Sequence, residues 1–211
     1  ALHYRDRTGE GQLVDVAMFD TIFSLLEAAI PYYTMNGVIS ERNGNIDPSI
    51  APFDVYSCKD GYVALGVGND RLWTNFCHTI GKPELLEDEK FKTNDLRVKN
   101  YKSDLQKIIR DWVKNYTKKE LEIMMDKAGI PCGPVMNIKE AIEHPHTKAR
   151  EMIVHVNHPT AGDLAFQGVV AKLSATPGEV TFASPLLGQD NCEVFHLTKE
   201  EEAKLKEEGV L

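Results

Sequence analysis

The chain of 211 residues has little positive charge and no long hydrophobic run. It contains 24 Lys and Arg residues against 32 Asp and Glu residues, which gives a formal net charge of -8. Proteins that bind nucleic acid or an anionic membrane normally present a net basic face, so neither is expected as a partner. A membrane-spanning helix needs ~20 apolar residues. The best candidate, residues 21–30, is shorter and contains Glu27.

The cysteines form no C-x-x-C pair, since Cys58, Cys77, Cys132 and Cys192 are widely spaced. This spacing predicts neither a zinc site nor a disulfide framework, and it is typical of proteins from a reducing compartment. We therefore expect a cytoplasmic protein.

Two pairs of histidines lie close in sequence, His144 with His146 and His155 with His158. A structural or catalytic metal site needs several converging ligands at a recognisable spacing. Prolines flank three of these four histidines, which indicates turns, so we interpret all four as solvated side chains and expect no metal. No serine lies in a G-x-S-x-G motif, which argues against an elbow-type nucleophile.

The opening residues are expected to belong to an element that starts upstream, because there is no initiator Met and Leu2 to Tyr4 resemble the end of a helix. A charged turn is predicted over residues 5–12 and a short strand over residues 13–17. Apolar spacing then predicts a helix over residues 18–35, kinked at Pro31 and ended by Gly37. Residues 38–51 are rich in Asn, Gly, Pro and Ser, which predicts a loop.

Alternation and turn residues predict a hairpin of strands 53–56 and 62–65. Helical periodicity predicts helices over 70–80 and 101–116, and Thr117 with Glu120 forms a capping-box signature for a third helix ending near Gly129. The remaining elements are predicted as a helix over 137–143, strands over 152–156 and 164–170 around a turn at 161–163, a turn and helix cap within 185–194, and a charged helix over 199–208.

Gly66-Val67-Gly68-Asn69-Asp70 follows a predicted strand and precedes a predicted helix. Its backbone N–H groups could approach an anionic group at the helix amino end. The run lacks the third glycine of a dinucleotide-binding fingerprint, so a Rossmann cofactor site is disfavoured. From the residues alone, the favoured alternative is a tight turn in which Asn69 or Asp70 caps the helix.

Four runs of residues resemble the sequence of a known protein family. Residues 7–16, RTGEGQLVDV, are similar to the R-T-G-x-G-Q-x-V-D-V run of class III coenzyme A transferases, the carnitine dehydratase and bile-acid-inducible F family. Three later runs agree in order: residues 44–53 with Asp60-Gly61, residues 129–135, and residues 185–191 with Glu193-Val194. Each run is weak singly, but four in order across nearly the whole chain are specific.

The resemblance implies a mixed α+β fold in three parts. Residues 1–46 would form a strand and linker helix from a large Rossmann-like domain whose first half is absent. Residues 47–150 would form a small α+β domain with helices packed on a small sheet, and residues 151–211 the return strands and carboxyl-terminal segment of the large domain. It also implies a homodimer of two interlocked subunits.

The activity implied by the resemblance is transfer of coenzyme A between an acyl-CoA and a free carboxylic acid. In the family an aspartate attacks the thioester to give a mixed anhydride, and an enzyme-bound CoA thioester follows. That aspartate precedes the R-T-G-x-G-Q run, so neither Asp15 nor Asp20 takes its place and no catalytic residue is expected within this chain. The chain alone is expected to be inactive, and coenzyme A is substrate, so no cofactor is expected.

The resemblance further implies substrate binding by the 38–51 loop and by the glycine turn. The candidates are Asn45, Asp47 and Pro48, in a segment that lies over the active site in the family and often reads G-N-x-H-P, and Gly66, Gly68 and Asn69. Related racemases carry Glu at the position of Asn69. Because an amide has no proton to exchange near neutral pH, Asn69 favours transfer over racemisation. For the loop, a polar surface segment shaped by Pro48 is equally consistent with its composition.

The sequence leaves two other functions open: an acyl-CoA racemase of the same superfamily, and a non-catalytic acidic interaction domain. No single side chain identifies the donor or acceptor acid.

Overall fold

The computed structural model describes residues 1–211, which form two compact units, Ala1–Pro134 and Val135–Leu211. Eleven α-helices and two small antiparallel sheets make up the fold. The expected mixed α+β class is therefore confirmed. The finer division at residues 46/47 and 150/151 stays a prediction. No helix is long and apolar enough to cross a membrane.

The first unit begins with three short helices, α1 (Leu2–Thr8), α2 (Met18–Ser24) and α3 (Ala29–Asn36). The predicted charged turn begins only at Gly9, which ends α1 in the left-handed conformation with φ 79°. The strand predicted over residues 13–17 is wrong: no other strand pairs with this segment, and Leu13 is 93% exposed. A strand needs a hydrogen-bonded neighbour as well as the right residues.

The helix predicted over residues 18–35 is divided at residues 25–28, upstream of Pro31. Pro31 lies in the first turn of α3, where its missing N–H leaves no intrahelical bond unmade. Gly37 ends α3 with φ 66°, as predicted.

The hairpin is confirmed as β1 (Phe53–Cys58) and β2 (Gly61–Gly66), with Phe53 opposite Gly66. A third strand, β3 (Cys132–Pro134), pairs antiparallel with β2 to give the order β1-β2-β3. Three residues are too few to show alternation, so the sequence did not predict this strand.

Four more helices follow in this unit: α4 (Asp70–Thr79), α5 (Asn94–Lys99), α6 (Gln106–Val113) and α7 (Lys118–Lys127), of which α6 and α7 pack on the sheet. A 3-10 turn spans Pro83–Leu86. The helix predicted over 101–116 is helical but begins with a π-helical turn, Tyr101–Leu105, and ends at Val113. The Thr117–Glu120 capping box of α7 is present, as predicted.

The core of this unit lies between the sheet and these helices. Leu105, Ile109 and Val113 are at most 1% exposed, and their spacing of four residues places them on one face. Phe76 from α4 and Leu121 from α7 are equally buried. Burying each such side chain stabilises the fold by roughly 1.5–3 kcal/mol.

The second unit contains α8 (Ile138–Glu143), α9 (Pro145–Ala149), the hairpin β4 (Ile153–His158) and β5 (Gly162–Gln167), then α10 (Asn191–Val194) and α11 (Lys199–Glu207). The two predicted strands are present, and so are the two predicted helices, α8 and α11. The connecting turn lies at residues 159–161 rather than 161–163, because Gly162 and Asp163 already pair with β4. Helix α9 was not predicted.

Candidate functional site

A cavity of about 810 Å³ lies in the first unit, between α3, the loop that follows it, α5 and the π-helical turn. Two predicted site residues, Asp47 and Pro48, line this cavity together with Tyr101. Asn45 does not line it, although the residues on either side do. Gly66, Gly68 and Asn69 lie outside the lining. The substrate-binding role of all six stays a prediction.

Asp47 shapes the loop at the cavity edge. Its Oδ1 accepts hydrogen bonds from the backbone N–H of Ser49 at 2.7 Å, from the Ser49 hydroxyl at 2.7 Å and from the N–H of Ile50 at 3.1 Å. Partial burial raises the pKa of Asp47, but the hydrogen bonds from Ser49 and Ile50 outweigh it and leave that pKa below its ordinary value. The carboxylate is therefore occupied in forming a turn.

Asn94, the first residue of α5, fixes the next part of this loop. Its Oδ1 accepts from the N–H of Ala51 at 3.2 Å, and its Nδ2 donates to the carbonyl of Ser49 at 2.7 Å. Ala51 is 1% exposed and precedes a cis peptide bond to Pro52. Residues 47–51 are thus held by hydrogen bonds, although they form no helix or strand.

Arg97, three residues further along α5, is fully buried. Its Nε donates to the Ala51 carbonyl at 3.0 Å, its Nη1 to the Phe91 carbonyl at 3.1 Å and its Nη2 to Asp70 Oδ1 at 2.8 Å. The guanidinium carbon lies 5.1 Å from the ring centroid of Trp73. Neither the role of Arg97 nor helix α5 was predicted from the sequence. The available signal was Thr93, whose hydroxyl caps α5 by accepting from the Leu96 N–H.

The glycine turn meets the loop through the start of β1. The N–H of Val67 donates to the carbonyl of Pro52 at 2.8 Å, and Gly66 lies opposite Phe53. A Cβ on Gly66 would lie 2.9 Å from the Phe53 ring, so any side chain at this position would displace that ring. A Cβ on Gly68 would meet nothing within 4 Å.

Asn69 caps α4, as the residue-based interpretation predicted. Its Oδ1 accepts from the Leu72 N–H at 2.9 Å. This uses the amide oxygen for the helix end. Asp70, the next residue, is the ion-pair partner of Arg97, so the glycine turn and the loop are both bonded to one buried side chain.

Behind the cavity wall, Tyr101 joins a buried polar network. Its hydroxyl donates to Asp54 Oδ2 at 3.0 Å and bonds the hydroxyl of Tyr56. Gln106 Nε2 also donates to Asp54 Oδ2 at 2.8 Å. Burial raises the pKa of both tyrosines, so both hydroxyls stay protonated at neutral pH.

Neither the thiols of Cys77 and Cys132 nor the His144–His146 pair has the features of a reaction centre. Burial raises the pKa of Cys77 to about 12 and that of Cys132 to about 11, so neither is a thiolate at neutral pH. His144 accepts the N–H of His146 through Nδ1, which is a cap of α9. No group of three or more His, Cys, Asp or Glu side chains could hold a metal ion.

Comparison with known proteins gives consistent matches across the chain. Residues 1–191 match the family model described as CoA-transferase family III. Succinyl-CoA–D-citramalate CoA-transferase of Chloroflexus aurantiacus is 39% identical over 216 aligned residues, which cover 100% of this chain and 54% of that protein. Succinyl-CoA:mesaconate CoA-transferase of Haloarcula hispanica is 31% identical over 92% of this chain and 48% of its own length.

A solved structure agrees with these matches. The crystal structure of a CAIB/BAIF family protein from Brucella suis superimposes with a TM-score of 0.75 at 29% identity, covering 92% of this chain and 50% of that protein. The chain thus spans about half the length of the curated relatives it matches.

Proposed function

The chain belongs to the family III CoA-transferases, and from this we propose that its protein transfers coenzyme A between an acyl-CoA thioester and a free carboxylic acid. The observation that carries the proposal is the match over the whole chain, at 39% identity, to a protein named as such a transferase. Coenzyme A is then a substrate, and the protein needs no further cofactor.

The proposed donor is succinyl-CoA and the proposed acceptor a short dicarboxylic acid. Both named relatives use succinyl-CoA, and their named acceptors, D-citramalate and mesaconate, are dicarboxylic acids. The cavity lining carries more basic than acidic side chains, since Arg42, Lys99 and Lys102 contribute to it against Glu41 and Asp47. Basic side chains at a site of this kind attract and orient carboxylates.

The finer mechanism that we propose uses an aspartate nucleophile upstream of Ala1. Its carboxylate attacks the thioester carbonyl and releases the CoA thiolate, leaving a mixed anhydride. The thiolate then attacks the enzyme acyl carbon, which frees the first acid and gives an enzyme-bound CoA thioester. The acceptor carboxylate repeats the two steps in reverse and leaves as acyl-CoA. The anhydride keeps the acyl group activated throughout.

Two carboxylates near the cavity, Asp47 and Asp54, are already engaged in hydrogen bonds, which supports this placement of the nucleophile. Asp47 accepts three hydrogen bonds that form its turn. Asp54 is 6% exposed and accepts from Tyr101 and Gln106. A carboxylate so occupied is a poor nucleophile. The racemase alternative is not favoured, because the position related to a proton-transferring Glu holds Asn69, whose oxygen caps α4.

The test compares this chain with the complete protein, using succinyl-CoA and a panel of isotopically labelled dicarboxylic acids. We expect label to enter acyl-CoA only with the complete protein. Transfer by the 211-residue chain alone would show that the nucleophile is misplaced. No transfer by the complete protein from succinyl-CoA to any acid of the panel would overturn the proposed activity, and solvent deuterium entering beside the thioester would favour racemisation.

We also propose that the protein is a homodimer. Large apolar side chains on α2 and α3 support this, since Met18 is 88%, Phe19 76% and Met35 80% exposed. Exposed apolar patches of this kind mark interaction surfaces. Sedimentation equilibrium of the complete protein should give twice the mass of one chain, and a monomer at micromolar concentration would contradict the proposal.

A further inference from the structure

Helix α5 connects two segments that are far apart in sequence. Asn94 bonds Ser49 and Ala51, while Arg97 bonds Ala51 on one side and Asp70 on the other. Both backbone polar groups of Ala51 are thus held, its N–H by Asn94 and its carbonyl by Arg97. A residue that is three positions from another on a helix shares its face, which explains why both reach the same loop.

The hydrogen bonds of Arg97 use its whole guanidinium group. Each of its three guanidinium nitrogens donates one hydrogen bond, and the three acceptors come from the loop, the residue Phe91 and the start of α4. Only a planar guanidinium presents donors in a fixed fork of this kind. A lysine at position 97 has one nitrogen and can satisfy only part of the set.

The Asp70 contact alone does not explain the burial of this charge, since that carboxylate is 77% exposed and solvated. The loop and Phe91 carbonyls are the other partners. A buried carbonyl that loses its donor is costly, so the loop conformation and the Arg97 position stabilise each other.

We propose that Arg97, assisted by Asn94, is a positioning residue that fixes residues 47–53, the end of the loop and the start of β1, against the turn at residues 66–70 for binding of the acceptor acid. This inference rests on the proposed transferase function. Arg97 does not contact the cavity itself, but it holds Ala51, a cavity-lining residue four positions after Asp47. Loosening this bond would let Asp47 and Pro48 leave the position that the acid requires.

The kinetic test uses the complete protein with Arg97→Lys and Asn94→Asp, which keep a donor or an acceptor in place. For each, kcat/KM is measured separately for the acyl-CoA donor and the dicarboxylic acceptor. We expect kcat/KM for the acceptor to fall at least tenfold and that for the donor to change less than threefold. Loss of an interaction that only positions one substrate affects that half-reaction alone.

Two control variants separate positioning from general damage. Arg71→Met removes an exposed arginine on α4, and Ile109→Val loosens the core at a fully buried site away from the loop. Both should keep both kcat/KM values within threefold of the wild type. If Ile109→Val lowers the acceptor value as much as Arg97→Lys does, or if Arg97→Lys lowers both values equally, the inference is wrong.

Hydrogen exchange provides a readout that does not need activity. In Arg97→Lys, amides of residues 47–53 and 66–72 should exchange at least tenfold faster, while those of the hairpin turn at residues 58–61 stay unchanged. Unchanged exchange in the loop would overturn the inference even if the protein proves not to be a transferase. An inactive wild-type protein whose Arg97→Lys variant shows the faster exchange would refute the proposed function and the role in acid binding, and would leave Arg97 as a residue that only fixes the loop.

Discussion

Removal of one hydroxyl group, in Tyr101→Phe, should test the buried network of Tyr56, Tyr101 and Asp54. Tyr56 and Tyr101 are 1% and 2% exposed, so water cannot replace the lost partner. The variant leaves the Tyr56 hydroxyl without an acceptor and removes one of the donors to Asp54. An unsatisfied buried group costs about 1–3 kcal/mol and a bond to a charged group about 1.5–3 kcal/mol, so we expect a loss of about 3 kcal/mol in the free energy of unfolding.

A double-mutant cycle measures the coupling between the hydroxyls of Tyr56 and Tyr101. Tyr56→Phe alone removes a donor to Tyr101, which still bonds Asp54, and should cost about 1 kcal/mol. In the double variant no hydroxyl is orphaned, so we expect a loss of about 2 kcal/mol rather than the sum of about 4 kcal/mol. The coupling energy is therefore about 2 kcal/mol.

The assay is guanidinium unfolding of the chain followed by tryptophan fluorescence. The two tryptophans, Trp73 and Trp112, both lie in the first unit, so the signal reports on the unit that contains the network. Tyr62→Phe is the matched control, since Tyr62 is 55% exposed on β2, and should change stability by less than ~0.5 kcal/mol. A coupling energy below ~0.5 kcal/mol would refute the network.

Three further outcomes are expected. Burial raises the pKa of Tyr56 in the folded chain. The contribution of this side chain to the free energy of unfolding is therefore complete below an unfolded pKa of ~10 and declines above it by about 1.4 kcal/mol per pH unit. The free energy of unfolding of Tyr56→Phe should thus fall less steeply with alkaline pH than that of the wild type. Since the pKa of Cys132 is raised to about 11, its alkylation by iodoacetamide at pH 8, followed by mass spectrometry, should be slower than in denaturant by about 200-fold; equal rates would contradict the burial. Asn69→Ala should cost about 1 kcal/mol and Asn69→Asp less than half of that in the same unfolding assay, because only aspartate keeps the acceptor for the Leu72 N–H; equal losses would show that the cap is unimportant.

Local patterns in the sequence predicted elements whose stabilising contacts are themselves local. The Thr117–Glu120 capping box and the Asn69 cap depend on residues three positions apart, and the β1-β2 hairpin on residues at most 13 positions apart. The predicted strand over residues 13–17 failed for the opposite reason, because alternation of apolar residues does not reveal whether a neighbouring strand is present. The short strand β3 was missed because three residues carry no pattern.

The sequence by itself determined the family, through four short runs in order, and it identified Asp47 and Pro48 as residues of the candidate site. Only the tertiary structure showed that these residues line a cavity and that Arg97 holds the loop beside them. The acceptors of Arg97 lie 46, 6 and 27 residues away, in Ala51, Phe91 and Asp70. An arginine in a polar, charged segment gives no sign of such burial. Its surroundings are created by the packing of distant segments, which a linear pattern does not encode.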